Sequence, residues 1–150
     1  MSEFFISSPD FKDGEEIPKK FGYKHGNETP LIELHNVPEY VCFSVALIMD
    51  DPDAMAAVGK VWVHWLVLDD SLMNFPNGNV AGVYGKGKND FGELGYGGPA
   101  PPDGRHTYVF KAYALDYTPE LKEGYSKQEL EDAMKGHILA EAKLTGTFAS

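Results

Sequence analysis

Two runs of apolar residues, 39–49 (EYVCFSVALIM) and 61–68 (VWVHWLVL), place the strongest constraint on the fold. Their apolar residues follow one another rather than alternate with polar ones, which is typical of strands that are covered on both faces. A third run, 106–116 (HTYVFKAYALD), is rich in β-branched and aromatic residues, and a last strand is predicted near Lys143–Ala149. The runs predict strands buried inside a sandwich or against a second layer.

One helix is predicted before the last strand. Ser126 followed by Glu129 forms a capping box, in which each side chain satisfies a backbone donor at the start of a helix. The positions that then recur at helical spacing are Leu130, Met134, His137 and Ile138. The sequence therefore predicts a helix over 126–139, with Gly136 as an alternative end because glycine weakens a helix.

The composition predicts one compact domain, 1–150. A chain of 150 residues with 43% hydrophobic and 13% aromatic residues is long enough to bury a core of its own. It carries 13 lysines and arginines against 23 aspartates and glutamates, a formal charge of −10. This charge argues against nucleic acid or an anionic membrane as the main partner, although a local pocket can still hold a small anion.

The single cysteine, Cys42, excludes an internal disulfide, and its apolar surroundings predict a buried, unreactive thiol. The first residues, MSEFFISSPDFKDGEE, show neither the basic region nor the apolar core of a signal peptide. No stretch reaches the roughly 18 apolar residues of a membrane span. We therefore expect a cytoplasmic protein with no integral membrane association.

His64 stands in the middle of the second apolar run, downstream of Asp51 and Asp53. In a regular strand its face would be shared by Trp62, Leu66 and Leu68. A buried ring N–H without a partner costs about 1–3 kcal/mol. One interpretation is a core histidine that is hydrogen-bonded to a backbone carbonyl. The other is that a carboxylate of the D-P-D turn accepts one ring N–H and directs the second ring nitrogen outward.

His106 and Tyr108 share a face of the third run and directly follow segment 74–105. That segment is dense in glycine and proline, and an irregular segment of this length in a compact domain is usually functional. Two imidazoles, a phenol and the indole of Trp62 around one cleft would offer N–H and O–H donors to a small oxyanion such as phosphate. If imidazoles are the donors, affinity should rise as the pH falls from about 8 to about 6. The alternative is that these are satisfied residues of the sandwich interior.

Other chemistry finds little support in the sequence. The metal-binding patterns HExxH and CxxC do not occur. Asp90-Phe91-Gly92 spells the magnesium triad of protein kinases without the rest of that signature. The strings GYGGP and GVYGKGK lack the setting of a phosphate loop, and there is no G-x-S-x-G elbow for a serine nucleophile. We therefore predict no cofactor, no metal site and no catalytic residue.

Several longer strings together resemble one family. They are DPDA (51–54), VWVHW (61–65), NDFGELGYGGPAPPDGRHTYVF (89–110), ISSPDFKDGEEIPKKF (6–21), HGNETPLIELHNVP (25–38) and GHILAEAKLTGTFA (136–149). The chain resembles the phosphatidylethanolamine-binding proteins, and within them the short bacterial and archaeal branch called Raf-kinase-inhibitor-like. The resemblance covers nearly the whole chain.

The resemblance implies a mainly β fold, an antiparallel β-sandwich with a few short helices, and an anion-binding pocket at one end of it. The positions that match the pocket are Asp51, Trp62, His64, Pro101, Pro102, His106 and Tyr108. The positions that would form its rim are Asp53, Met55, Gly98, Ala100 and Arg105.

Three positions depart from the family pattern. Met55 stands where a proline usually follows DPDA, Thr107 where many members have arginine, and Leu34 where a tryptophan is common. None of them removes a residue expected to donate to an anion. They bear on which ligand and which partner the protein binds.

The leading functional hypothesis is a binding protein for a phosphate-bearing group: a lipid headgroup, a nucleotide or a phosphorylated side chain. The resemblance also implies a regulatory or inhibitory role toward a protein kinase or a protease. The alternative is a hydrolase of small phosphorylated or acylated substrates that uses Asp51, His64 and His106. A third hypothesis is a docking protein with a vestigial pocket, and a homodimer paired through a free sheet edge is left open.

Overall fold

The computed structural model describes residues 3–38, 41–70, 78–80 and 86–150, the side chains of 78–80 excepted. Its strands are β1 (Phe5–Ser7), β2 (Ile32–His35), β3 (Ser44–Asp51), β4 (Trp62–Asp69), β5 (Gly78–Val80), β6 (Arg105–Leu115) and β7 (Ile138–Ala149). Its helices are α1 (Ala54–Val58), α2 (Lys127–Met134) and a single 3₁₀ turn, Lys19–Phe21. The mainly β fold with short helices is confirmed.

The strands form two antiparallel sheets. The larger sheet has the order β4-β3-β6-β7 and the smaller one the order β1-β2-β5. Leu47 and Phe110 of the larger sheet belong to one core cluster with Ile32 of the smaller sheet. Ile48, on the opposite face, belongs to a second cluster with Leu130 of α2. The larger sheet is thus covered on both faces, which is why all eight residues of β3 are buried.

The predicted long strands exist with shifted ends. β3 begins at Ser44, later than the predicted 39–49, and runs on to Asp51, while positions 39 and 40 lie outside the described residues. β4 and β6 each lie within one position of their predicted ranges. β7 is longer than the predicted Lys143–Ala149, because its first half pairs with the end of β6.

The predicted helix begins where expected but is shorter. Its capping box is formed: Ser126 Oγ accepts the Glu129 N–H at 3.1 Å, and Glu129 Oε1 accepts the Ser126 N–H at 3.1 Å. Extension to position 139 is wrong, since α2 ends at Met134. Gly136 then adopts a φ of 82°, a left-handed conformation that favours glycine, and turns the chain into β7.

Segment 74–105 is only partly irregular. β5 lies within it and pairs with β2, while 71–77 and 81–85 are outside the described residues. From 86 to 104 the chain forms no helix or named strand and is held against the free side of β4. The N–H groups of Gly87, Asp90 and Gly97 donate to carbonyls of β4 at 3.1, 2.9 and 2.8 Å. Backbone pairing therefore fixes a segment that has little regular structure.

A β-bulge interrupts β4 at His64. Asp50 pairs with Val63 and Met49 pairs with Trp65, so His64 is the extra residue of the bulge. The predicted face shared by His64, Leu66 and Leu68 is therefore wrong for the two leucines, which pack in the cluster under α2. The bulge shifts the alternation so that His64 and Trp62 line a common cleft.

Cys42 is buried as predicted, and its thiol donates to the Ser44 carbonyl at 3.3 Å. Burial raises the pKa of this thiol, which keeps it protonated and unreactive. None of the helices within the described residues has the length and apolar character needed to cross a membrane.

Candidate functional site

A cleft of about 170 Å³ opens where β3, β4 and β6 meet α1 and the loop before β6. It is lined by Asp51, Ala54, Val58, Trp62, His64, Phe91, Ala100, Pro101, Pro102 and Tyr108. The structure thus brings together six of the seven residues predicted for the pocket. The seventh, His106, lies directly behind Asp51.

Asp51 is fixed at the end of β3 by the turn that leads into α1. Its Oδ1 accepts the N–H of Asp53 at 2.9 Å, the short-range bond typical of an aspartate in a turn. Its Oδ2 accepts Nδ1–H of His106 at 2.6 Å, and both side chains are buried. Asp53 in turn accepts the N–H of Thr107 at 2.8 Å, which ties the same turn to β6. Both oxygens of Asp51 are therefore in use.

His106 lies between two carboxylates. Its Nε2 is 3.3 Å from Oδ1 of Asp103, whose side chain is 77% exposed. Burial lowers the pKa of His106, but the hydrogen bond and charge of Asp51, helped by Asp103, more than offset this, so the pKa lies above its ordinary value. The two neighbouring aspartates thus favour the protonated form of the His106 ring.

His64 has a different partner from the one predicted. Its Nδ1 lies 2.7 Å from the carbonyl oxygen of Gly97, and its own carbonyl accepts the Gly97 N–H at 2.8 Å. The hypothesis that Asp51 or Asp53 accepts a ring N–H of His64 is wrong, because the D-P-D turn reaches His106 instead. The alternative, a buried histidine bonded to a backbone carbonyl, is confirmed. Burial lowers the pKa of His64, so the ring is neutral at pH 7.

Two residues that line the cleft, Trp62 and Tyr108, carry a buried donor without a protein acceptor in the described part of the chain. By hydrogen-bond geometry, neither Nε1 of Trp62 nor Oη of Tyr108 has a partner within the described residues. Asp51 and the Ala100 carbonyl nevertheless lie near enough to the Tyr108 hydroxyl to influence its pKa. Burial and the nearby charge of Asp51 raise the pKa of Tyr108 far above its ordinary value, so its hydroxyl keeps its proton. Buried polar groups almost always have partners, which makes two unsatisfied donors in one cleft a feature that calls for a ligand or ordered water.

Phe91 forms an aromatic wall of the cleft. Its ring meets the rings of Trp62 and His64 edge to face, with 5.6 Å between centroids in each case. On its other side it stacks on Tyr23 at 3.9 Å, and the Tyr23 hydroxyl donates to Glu93 at 2.8 Å. Phe91 lies in the string 89–110 that carries the family resemblance, but it was not among the residues predicted for the pocket.

Of the five predicted rim residues, only Ala100 lines the cleft. Met55 is 54% exposed on α1, whose Ala54 and Val58 line the cleft in its place. Arg105 forms an ion pair with Glu16. Asp53 has the backbone role described above.

Gly98 is a structural residue rather than a rim residue. A Cβ at this position would lie 1.9 Å from the carbonyl oxygen of Phe21. Its N–H donates to Oδ1 of Asn27 at 2.7 Å, which docks the loop 97–102 on the N-terminal segment.

The chemistry of the cleft is that of neutral hydrogen bonding. Within the described part of the chain, no three histidine, cysteine, aspartate or glutamate side chains are grouped so as to hold a metal ion. Besides the carboxylate of Asp51, the lining residues carry an indole N–H, a phenol O–H and an imidazole, beside alanine, valine and proline side chains. Such an arrangement can bind a small ligand that is rich in acceptors.

A protein-family model described as phosphatidylethanolamine-binding protein (PEBP) matches residues 7–149 of the chain. A relative from Chlamydia muridarum named UPF0098 protein is 40% identical, over 95% of this chain and 97% of its own length. A crystal structure described as a PEBP homolog from Chlamydia trachomatis superposes with a TM-score of 0.86 and 34% identity, and the match covers 100% of this chain and 99% of that one. Escherichia coli YbcL, described as a member of the mammalian PEBP family, gives a TM-score of 0.80 at 28% identity, with 98% of each chain covered.

Proposed function

This chain belongs to the phosphatidylethanolamine-binding protein family, and from that premise we propose that its cleft binds a small oxyanion, the phosphate group of a small molecule or of a phosphorylated side chain. The observation that carries the proposal is a pair of donors, Trp62 Nε1 and Tyr108 Oη, that find no acceptor among the described residues. Each buried donor without an acceptor costs about 1–3 kcal/mol. A ligand that brings two oxygens to these donors recovers that free energy.

The size of the cleft favours a small group. Its volume of about 170 Å³ is below the roughly 300–1,000 Å³ of pockets that enclose drug-sized ligands. The apolar side chains around the donors exclude water, and hydrogen bonds are stronger in such surroundings than in bulk water. A tetrahedral oxyanion with a short substituent matches both properties.

The carboxylate of Asp51 does not oppose this proposal as strongly as its place in the cleft suggests. Oδ2 of Asp51 accepts from His106, whose raised pKa favours a positive charge on the ring, and Oδ1 accepts a backbone N–H. Each oxygen of the carboxylate therefore already has a donor. Binding by neutral donors is consistent with a chain whose formal charge is −10 and which cannot attract anions from a distance.

The test uses the two tryptophans as internal probe and control. Phosphate, phosphoethanolamine and O-phosphotyrosine are titrated while the indole N–H signals are followed by NMR. We expect a saturable shift of the Trp62 signal and little change in that of Trp65, which lies in the core between the sheets. Trp62→Phe should weaken binding about tenfold, the effect of one lost hydrogen bond. An unchanged Trp62 signal with all three ligands would remove the basis of the proposal.

A regulatory role follows as a second step. If O-phosphotyrosine competes with inorganic phosphate for the cleft, a phosphorylated side chain of a protein kinase or another protein is a suitable ligand. If only phosphoethanolamine or inorganic phosphate competes, recognition stops at small molecules. Inhibition of a protease is tested separately, by residual protease activity with wild type and Trp62→Phe.

The hydrolase alternative is less favoured by the geometry. A base pair of Asp51 and His64 would serve such a hydrolase, but Asp51 bonds to His106 and His64 bonds to Gly97. It stays a prediction that turnover of model phosphate and acyl esters tests. Pairing of two copies through a sheet edge likewise stays a prediction, tested by the mass of the protein in solution.

A further inference from the structure

We propose that the cleft selects oxyanions that carry a proton, such as a monoprotonated phosphate or phosphonate, over oxyanions that carry none, because His64 offers the ligand an acceptor rather than a donor. The inference rests on the proposed function and concerns the same cleft. It reverses the expectation from the sequence, in which His64 is one of the donors.

The first step is the position of the ring proton. Nδ1 of His64 lies 2.7 Å from the carbonyl oxygen of Gly97, and a carbonyl oxygen can only accept. Nδ1 therefore carries the proton. In a neutral imidazole the other nitrogen, Nε2, then has a lone pair and no proton. Nε2 is the ring nitrogen left for the cleft that His64 lines.

The second step is the charge of the ring. His64 is 2% exposed, and burial opposes a positive charge on it. The titratable groups around it are Asp50 and Asp51 from β3 and Tyr108 from β6, whose ring centroid lies 5.1 Å away. The carboxylates favour protonation, as do the carbonyls of Gly97 and Gly98, yet burial outweighs them. The free protein near neutral pH thus keeps the lone pair on Nε2.

The third step is what the ligand must bring. Two of its oxygens accept from Trp62 Nε1 and Tyr108 Oη, the unsatisfied donors of the cleft. An oxygen facing Nε2 meets a lone pair and is repelled unless it carries a hydrogen. A P–OH group supplies that hydrogen and satisfies all three protein groups at once. A fully deprotonated sulfonate or sulfate must first draw a proton from solution onto Nε2.

The proton count makes the difference measurable. A monoprotonated ligand brings its own proton, which stays on the ligand oxygen or moves to Nε2 without exchange with solvent. A ligand without a proton takes one up from the buffer on binding. No covalent bond is made or broken in either case.

Methylphosphonate and methanesulfonate form a matched pair of probes. Near pH 6 both are chiefly monoanions of the same shape, and they differ in one hydroxyl proton. Calorimetric titration of wild-type protein should give a methylphosphonate affinity about tenfold higher, the factor for one hydrogen bond. Methanesulfonate binding should show proton uptake when buffers of different ionisation enthalpy are compared.

The variant His64→Gln separates this selection from general anion binding. Its amide can turn either its oxygen or its NH₂ toward the ligand, so the affinity ratio of the two probes should fall toward one. His137→Gln, which changes an exposed histidine paired with Asp116, should leave the ratio unchanged. A ratio near one in the wild type, or a high ratio that survives in His64→Gln, overturns the selection while oxyanion binding stands. If neither probe nor inorganic phosphate binds, the proposed function itself fails.

A direct measurement on the unmodified protein guards against a variant that does not fold. ¹⁵N NMR of the imidazole rings distinguishes protonated from unprotonated ring nitrogens. We expect His64 to show a protonated Nδ1 and an unprotonated Nε2 in the free protein at neutral pH. A proton on Nε2 in the free protein contradicts the inference.

Discussion

Nδ1 of His106 lies 2.6 Å from Oδ2 of Asp51, and the two side chains are 7% and 4% exposed. They come from β6 and from the end of β3, so the pair joins two strands at the floor of the cleft. Removing one member of such a buried pair destabilises the folded protein, because the other member is left as a buried charge without compensation.

Asp51→Asn should therefore lower the free energy of unfolding by roughly 3 kcal/mol at pH 7. The amide keeps the shape of the carboxylate but cannot stabilise an imidazolium, so the pKa of His106 should also fall. Urea denaturation measures the first effect and NMR titration of the ring signals the second. Asp103→Asn is the control: its side chain is largely exposed and lies at 3.3 Å, and the loss should stay below about 1 kcal/mol. Equal losses of unfolding free energy in the two variants would show that the buried pair contributes no more to stability than the exposed contact.

The two cleft histidines should give stability opposite dependences on pH. The pKa of His106 is raised in the folded protein, so its contribution is fully present below about 6.5 and is lost as the pH rises through the raised value. The pKa of His64 is lowered, so its contribution is present above about 6.5 and is lost as the pH falls through the lowered value. The urea midpoint of His106→Gln should fall less steeply than that of the wild type as the pH rises. The urea midpoint of His64→Gln should fall less steeply than that of the wild type as the pH falls. Identical profiles in wild type and both variants would contradict the assignment.

Tyr108→Phe should separate binding from stability. No hydrogen-bond partner of the buried Tyr108 hydroxyl occurs within the described residues, so its removal should raise the free energy of unfolding by about 1–3 kcal/mol, while phosphate affinity falls about tenfold. Tyr96→Phe is the matched opposite: its hydroxyl donates to the Phe21 carbonyl at 2.8 Å, and its loss should cost about 1–2 kcal/mol without weakening phosphate binding. Urea denaturation measures the stability of both variants, and calorimetric titration measures their affinity for phosphate. A large destabilisation by Tyr108→Phe would mean that the hydroxyl has a structural partner.

Gly98→Ala should disrupt the loop that closes the cleft. The added Cβ would lie 1.9 Å from the Phe21 carbonyl oxygen, so backbone must move, and we expect a loss of more than about 2 kcal/mol. Gly104→Ala tests backbone conformation alone: nothing lies within 4 Å of its Cβ, but its φ of 57° costs an L residue about 1–2 kcal/mol. Thermal unfolding of the two proteins compares the effects. If Gly98→Ala were the milder change, the close approach to Phe21 would be wrong.

Lys127→Met should loosen α2 from the larger sheet. Nζ of Lys127 is 2.8 Å from Oδ2 of the buried Asp50, and Lys111, the other lysine near this carboxylate, is 3.8 Å away. Losing this charged hydrogen bond should cost about 2 kcal/mol. Lys60→Met removes the more exposed pair with Asp90 and should cost less than about 1 kcal/mol. We expect the amides of α2 to exchange hydrogen more slowly in Lys60→Met than in Lys127→Met. The reverse order would show that the Lys127–Asp50 pair does not hold α2 on the sheet.

The long strands could be predicted from the sequence because burial on both faces leaves continuous apolar runs. β1, β2 and β5 could not, because three or four residues are too few to show a period. The start of α2 followed from its capping box, whereas its end depended on which conformation Gly136 adopts. The local sequence pattern therefore predicts an element correctly where the residues of that segment alone determine its structure.

Most of the residues of the candidate site could be predicted from the sequence, but the hydrogen bonds between them could not. The resemblance identified most of the residues that line the cleft, yet it did not reveal that Asp51 reaches His106 or that His64 reaches Gly97. These partners are 55 and 33 positions apart in the chain, and the bulge at His64 sets the side of β4 on which that ring lies. Such contacts are set by packing between distant segments, on which the spacing of residues carries no information.

The bulge also bears on how this protein can diverge. On one side of it β4 contributes Leu66, Val67 and Leu68 to the two cores, and on the other it contributes Trp62 and His64 to the cleft. The two parts of one strand are thus free to accumulate substitutions under separate pressures, the first for folding and the second for ligand choice. A lineage can acquire a new ligand by exchanging residues at the cleft end while the register of the sheet is inherited unchanged.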